Sequence, residues 1–293
     1  VNLVETAGVS RRFGSLQAVQ RVDLVVATGE VVGLIGANGA GKTTLIRMAL
    51  GLLPPSDGDV SLFGEPPSRA TRFRLGYMPQ GLGLYDDLTV AENLAFAARA
   101  FGRRPGLSGL DPELRETAGA LVRDLPLGLR RRVAFAAALS HEPELLVLDE
   151  PTSGVEPLAR ARLWETIREA ADRGIGVLVT THFMSEASQC DRLVVLVAGR
   201  VAAAGTVAEI IGEMRTVIVR ASAWERAFVA LDDAGLPLAV VGRALRLADV
   251  DPAQVRSVLA AAGIEADLEL APATFDEAFV TLARRHGSEP GAG

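Results

Sequence analysis

Apolar residues gather in short runs, at Val22 to Val26, Val31 to Ile35, Leu75 to Met78, Leu145 to Leu148, Val177 to Thr180 and Leu193 to Val197, with helical spacing between them. Such alternation predicts an α/β unit built on a mostly parallel sheet. A helix over Lys42 to Leu50 is expected to stop at Gly51, ahead of the Pro54-Pro55 pair. From Leu84 to Leu139 the pattern changes: Ala91 to Phe101, Glu113 to Asp124 and Arg130 to Leu139 all suit helices, and no strand pattern separates them. A helical insert over about 84–139 therefore interrupts the sheet unit. After Gly212 the order reads as strand Val217 to Arg220, helix Ala223 to Ala234, strands Leu238 to Val241 and Leu245 to Ala248, helix Pro252 to Ala262 and strand Asp267 to Leu270. That β-α-β-β-α-β order predicts a small α+β unit of the split βαβ, ferredoxin-like kind. A closing helix is expected over Thr274 to Arg285. The domain expectation is 1–212, then 213–287, then a flexible polar tail over 288–293.

One stretch carries the strongest chemical signal. Gly36-Ala-Asn-Gly-Ala-Gly-Lys-Thr-Thr44 satisfies G-x-x-x-x-G-K-[ST] directly behind the apolar run Val31 to Ile35, the context that makes it a phosphate-binding loop. Gly36, Asn38, Gly39, Ala40 and Gly41 would turn backbone N–H groups toward a polyphosphate at a helix N-terminus. Lys42 would neutralise the β- and γ-phosphates, Thr43 would offer its hydroxyl to Mg²⁺, and Thr44 would lie nearer the α-phosphate. The run Leu145 to Leu148 ends in Asp149-Glu150, where a parallel sheet presents groups to a ligand. Neighbouring residues at a strand end point opposite ways, so Asp149 can hold Mg²⁺ through water while Glu150 acts as general base toward an attacking water. Taken alone, the acidic pair would equally read as a charge pair at a helix N-terminus.

Composition narrows the partners. The 293 residues are 49% hydrophobic and 23% charged, enough to bury a core. A formal net charge of -6, with Arg130 to Arg132 as the one short basic cluster, argues against nucleic acid as a partner. The single Cys190 cannot form an internal disulfide and reads as a buried thiol in a reduced, cytosolic setting. No run approaches the ~20 apolar residues of a membrane-spanning helix, and the N-terminus lacks the secretory pattern, so the chain is not expected to span a bilayer itself.

With these motifs in place the chain resembles the ATP-binding cassette (ABC) ATPases over roughly 1–212. Gln80 in Tyr77-Met-Pro-Gln80 is similar to the family's Q-loop glutamine, which senses Mg²⁺ and water. Asp149-Glu-Pro-Thr-Ser-Gly154 is similar to its second carboxylate motif and the following D-loop. Thr180-Thr-His182 resembles the switch histidine that contacts the γ-phosphate, and Phe13 holds the place of the aromatic ring that stacks on adenine. Standing alone, Gln80 would be an exposed loop amide, Phe13 a core aromatic and His182 a hydrogen-bonded histidine at a strand end.

Two departures stand out. The family's signature loop, usually Leu-Ser-Gly-Gly-Gln, reads Leu125-Pro-Leu-Gly-Leu129 here, so Leu125 and Gly128 remain and Pro126 replaces the serine. The resemblance implies that Gly128 contacts nucleotide held by a second cassette. Glu156 stands where the D-loop usually carries aspartate. These changes lead to an expectation of slow basal hydrolysis without the membrane partner or a second cassette.

The words Pro272-Ala-Thr-Phe-Asp-Glu-Ala-Phe279 resemble the end of the appended domain of drug and polysaccharide exporters. The resemblance implies the ATP-binding and hydrolysing subunit of an exporter, with multidrug or small-molecule efflux as the expected task. Its cofactors would be ATP and Mg²⁺. Its partners would be separate transmembrane permease subunits and a second cassette, as homodimer or heterodimer, and its place the inner face of the cell membrane. Tyr85-Asp86-Asp87 and the helix from Val90 are the expected contacts for the membrane partner. The competing readings are a soluble, non-transport cassette ATPase and a nucleotide-sensing module with weak hydrolysis.

Overall fold

The computed structural model describes residues 1–104 and 112–287. The expected tail over 288–293, and 105–111 within the expected insert, lie outside the described residues. Two compact units meet at Ala204 and Gly205, earlier in the chain than the boundary read after 212.

In the first unit, β1 (Asn2–Phe13), β2 (Leu16–Ala27) and β4 (Asp57–Leu62) form a three-stranded antiparallel sheet in the order β2-β1-β4. Beside it, β3 (Val31–Ile35), β5 (Leu75–Met78), β6 (Leu145–Asp149), β7 (Gly176–Thr181), β8 (Arg192–Val197) and β9 (Arg200–Gly205) build a six-stranded sheet ordered β5-β6-β7-β3-β8-β9. Its first five members pair in parallel. The helices are α1 (Lys42–Ala49), α2 (Arg69–Arg72), α3 (Val90–Ala100), α4 (Pro112–Glu116), α5 (Leu127–Leu139) and α6 (Pro157–Asp172).

The continuous apolar runs have a plain cause. Leu145 and Val147 enter one buried cluster with Leu45, Ile46 and Met48 of α1, while Leu146 and Leu148 enter another with Leu163, Trp164 and Ile167 of α6. Both faces of β6 are covered, so no position along it is polar until Asp149. Strands β1 and β4 are half-buried instead. Thr6 of β1 is buried between exposed Glu5 and Ala7, but Leu3 and Val4, and Val9 and Ser10, are buried as adjacent pairs, and register shifts near Gly8 break the alternation. That weak period hides them from the sequence.

The expected helix over Glu113 to Asp124 is corrected. Helix α4 ends at Glu116, the Thr117 hydroxyl donates back to the Glu113 carbonyl at 3.1 Å, and a short 3-10 turn follows at Val122–Asp124. The chain between them leaves the helix as a turn because it has another task. Its Ala120 and Ala118 carbonyls accept from the first-turn N–H groups of Val90 and Ala91 at 3.0 and 2.9 Å, donors that α3 cannot satisfy internally. Thr89 and Glu92 close the same helix end as a capping box.

The second unit contains α7 (Val207–Ile211), β10 (Arg215–Arg220), α8 (Trp224–Asp233), β11 (Ala239–Val241), β12 (Ala244–Ala248), α9 (Pro252–Ala261), β13 (Asp267–Pro272) and α10 (Phe275–Gly287). Its antiparallel sheet has the order β11-β12-β10-β13, and Val217, Val219, Leu231, Leu245, Leu247 and Leu259 fill its core. Among the described residues no helix is long and apolar enough to cross a membrane.

Candidate active site

The chain leaves β3 at Ile35 and enters α1 through a loop that crowds its neighbours. Gly41 adopts φ 101°, and a Cβ there would fall 2.5 Å from the Ala18 carbonyl oxygen, so glycine is required on both counts. Asn38 and Gly39 lie exposed at the loop's tip, whereas Gly36, Ala40 and Lys42 are buried. The Lys42 ammonium donates to the carbonyls of Gly36 at 2.8 Å and Ala37 at 3.2 Å, folding the side chain back along its own loop. It also lies 3.5 Å from Glu150 Oε1.

Parallel register brings the second half of the site to the same edge. Asp149 pairs with Thr180, and Ile35 with Thr181, so the ends of β6, β7 and β3 converge. Thr43 Oγ1 donates to Asp149 Oδ2 at 3.0 Å. Thr180 Oγ1 donates to Asp149 Oδ1 at 2.7 Å and accepts the Glu150 N–H at 2.8 Å, which fixes both acidic residues through one hydroxyl.

Glu150 itself sits at φ 52°, a left-handed backbone on a residue with a side chain. Such a conformation costs on the order of 1–3 kcal/mol and persists where surroundings enforce it. Arg131 supplies part of that enforcement: its Nη1 donates to the Glu150 and Pro151 carbonyls at 2.8 and 3.1 Å. Burial lowers the Arg131 pKa and the Glu150 charge opposes the change. The sharp turn aims the Glu150 carboxylate at three partners. Besides Lys42, the Gln80 amide donates at 3.5 Å and His182 Nδ1 stands 3.4 Å away, both toward Oε2.

Phe13 is 45% exposed, which removes the core-aromatic alternative. It borders a cleft of about 460 Å³ together with Thr44, Arg47, Leu52, Leu53, Tyr77 and Pro79. The Arg11 guanidinium lies 4.8 Å from the ring centroid, over one of its faces. Burial, then the Asp149 charge, raise the Tyr77 pKa, and Arg47 works against them. The cleft is planar-walled, cationic and next to the phosphate loop.

Lys42, Thr43, Gln80, Asp149, Glu150 and His182 therefore form one cluster, and Phe13 and Thr44 share the adjoining cleft. Gly128 stands elsewhere, in the first turn of α5, where a Cβ would meet Ala159 at 3.8 Å. That helix starts at Leu127 rather than Arg130, with Pro126 at its N-cap and no side-chain cap hydrogen bond. Asp86, expected to face a membrane partner, is engaged by Arg130 Nη2 at 2.6 Å. Tyr85 packs edge-on against Phe96 at 5.0 Å. Sequence reasoning missed Thr180 and Arg131 as site residues. Thr180 was visible as a polar end to an apolar strand, and Arg131 only as one member of a basic cluster.

A parallel sheet, a phosphate loop at the end of β3 and an acidic pair at the end of β6 define a phosphate-loop nucleotide-binding protein. The family model described as "ABC transporter" matches residues 19–153. The Nod factor export ATP-binding protein I of Burkholderia lata is 44% identical over 215 residues, 69% of this chain and 70% of that protein. The probable multidrug ABC transporter ATP-binding protein YbhF of Escherichia coli strain K12 is 40% identical over 214 residues, 70% of this chain but 37% of that one. A solved "ATP binding subunit of ABC transporter" superposes with a TM-score of 0.63 at 32% identity, covering 71% of this chain and 91% of the other. The chain belongs to the ABC transporter family, as one of its ATP-binding subunits.

Proposed function

We propose that this chain hydrolyses ATP at the cluster around Glu150 and, paired with a second cassette, drives separate transmembrane subunits of an exporter from the cytoplasmic face of the membrane. The observation that carries this reading is the Glu150 carboxylate, held in a left-handed turn within 3.5 Å of Lys42 and Gln80 and beside His182. A carboxylate placed there can accept a proton from a water that attacks the terminal phosphate. Lys42 exchanges its loop carbonyls and Glu150 for phosphate oxygens, which releases Glu150 toward that water. His182 is near enough to Glu150 to donate to the γ-phosphate while the water is activated. Phe13 offers its free face to adenine, in a cleft that Tyr77 and Arg47 also line.

The donor set suits Mg²⁺: the Thr43 hydroxyl, the Asp149 carboxylate and the Gln80 amide oxygen are hard ligands, and Thr43 already meets Asp149 at 3.0 Å. These residues would hold Mg²⁺, which would supply positive charge to the phosphates. Gly128, at the N-terminus of α5, would serve nucleotide held by the second cassette, where the helix dipole favours negative charge. Export is supported by the names of the two relatives, a multidrug transporter protein and a Nod factor export protein. The test is phosphate release by the chain with and without its co-purified membrane subunits. Turnover that rises on assembly supports the reading; an assembled complex without ATP turnover refutes it.

A further inference from the structure

Two segments flank the cluster without belonging to it: the turn over 151–154 with the two residues that lead it into α6, and the 3-10 stretch Met184–Gln189 that follows His182 and Phe183. Arg160, in the first turns of α6, touches both. Its Nη2 donates to the Val155 carbonyl at 3.3 Å, and its guanidinium lies 4.4 Å from the centroid of the Phe183 ring. The Phe183 ring in turn rests against His182, with centroids 4.2 Å apart. Arg160 Nε stands 3.7 Å from Glu186 Oε1.

Glu186 is the unusual member of this set. It is 2% exposed, and neither of its carboxylate oxygens, nor Arg160 Nε, has a hydrogen-bond partner among the described residues. A buried carboxylate without hydrogen bonds is costly, and a lone cation just outside bonding distance is the nearest remedy. Charge-assisted N–H···O bonds settle at about 2.7–2.9 Å, so a shift of about 1 Å would complete the pair. Such a shift moves Arg160 relative to the residues it already holds, Val155 and Phe183.

We propose that Arg160 is a positioning residue for ATP hydrolysis, anchored by Glu186, which ties the turn after Glu150 to the segment carrying His182 and so sets the His182 ring against the Glu150 carboxylate. The planar guanidinium suits this task because one edge reaches a carbonyl, Nε faces the carboxylate and the flat face lies on an aromatic ring; an ammonium supplies the charge alone. The inference rests on the proposed roles of Glu150 and His182.

The test compares wild type, Arg160→Lys, Glu186→Gln and the double variant, each assembled with the membrane subunits, by kcat and KM for ATP and by thermal melting. A misplacement on the order of 1 Å costs up to about 10²-fold in rate, so kcat is expected to fall about 10-fold to 100-fold in both single variants with KM unchanged. Arg160→Lys should melt close to wild type while its kcat stays low, which a merely structural ion pair would not produce. The double variant should be no slower than the worse single one, because both act through one contact. Wild-type kcat in Arg160→Lys and Glu186→Gln, or recovery of kcat together with melting temperature in Arg160→Lys, overturns the inference while leaving the ATPase reading intact. Absence of turnover in the wild-type complex overturns both.

Discussion

Replacing Glu150 with glutamine removes a charge and a proton acceptor while keeping shape. The carboxylate lies 3.5 Å from Lys42, 3.4 Å from His182 and 3.5 Å from Gln80, so its loss leaves Lys42 without its acidic neighbour but still bonded to the Gly36 and Ala37 carbonyls. The phosphate loop therefore keeps its form, and Lys42 no longer has to leave an ion pair to meet phosphate. ATP affinity should be equal to or tighter than wild type. A positioned general base contributes about 10²–10⁴ in rate, and each tenfold corresponds to about 1.4 kcal/mol, so the expected barrier increase is about 3–5 kcal/mol. The assay is single-turnover phosphate release from the assembled complex, paired with equilibrium nucleotide binding. Turnover within about threefold of wild type would refute the reasoning, since no general base worth about 10² or more would then act at this position.

Further outcomes follow from other parts of the molecule. Pro126→Ser supplies the N-cap acceptor that α5 lacks, worth about 1 kcal/mol and a rise of about 2–4 °C in melting temperature, and should speed hydrolysis in the assembled complex; unchanged melting would contradict it. Asp86→Lys sets two cations together at the start of α5 and should lower turnover and stability in the isolated chain, whereas an effect seen solely with membrane subunits present would point to a docking role instead. In the second unit burial opposes ionisation of Glu277, yet hydrogen bonds from Arg246, the Thr274 N–H and the Thr216 hydroxyl bring its pKa from 4.5 to about 2. A depressed carboxylate stabilises the fold above its unfolded value and loses that contribution as pH falls through the folded one. Melting of wild type and Glu277→Gln should differ most at neutral pH and converge between about pH 4.5 and 2; a gap constant with pH would contradict the assignment.

What the sequence made legible was local. Gly36 to Thr44 declares itself because one loop supplies its own backbone donors, cation and hydroxyl, and Asp149-Glu150 because a fully buried strand turns polar at its end. Their meeting is not local. It requires the order β5-β6-β7-β3, in which the β3 and β7 neighbours are distant in the chain, and a resemblance rather than spacing supplied Gln80 and His182. Thr180 and Arg131 escaped notice because they act on backbone groups and on Asp149 across the sheet edge, a role with no spacing signature. The Glu113 to Asp124 helix failed for a related reason: periodicity favoured it, but the unsatisfied donors of α3 recruited Ala118 and Ala120. Cys190, expected to be buried, is half-buried and forms no disulfide among the described residues, and burial first, then the Glu186 charge, push its thiol up to about 12.

The central claim is that the loop at the end of β3 wraps a triphosphate through Lys42, and calorimetric titration of ATP in the presence of Mg²⁺ into wild type and Lys42→Ala tests it most directly. A lost charge-assisted contact of about 1.5–3 kcal/mol predicts affinity about 10-fold to 100-fold weaker in the variant. Equal affinity in the two proteins, or no binding to wild type, would contradict the account.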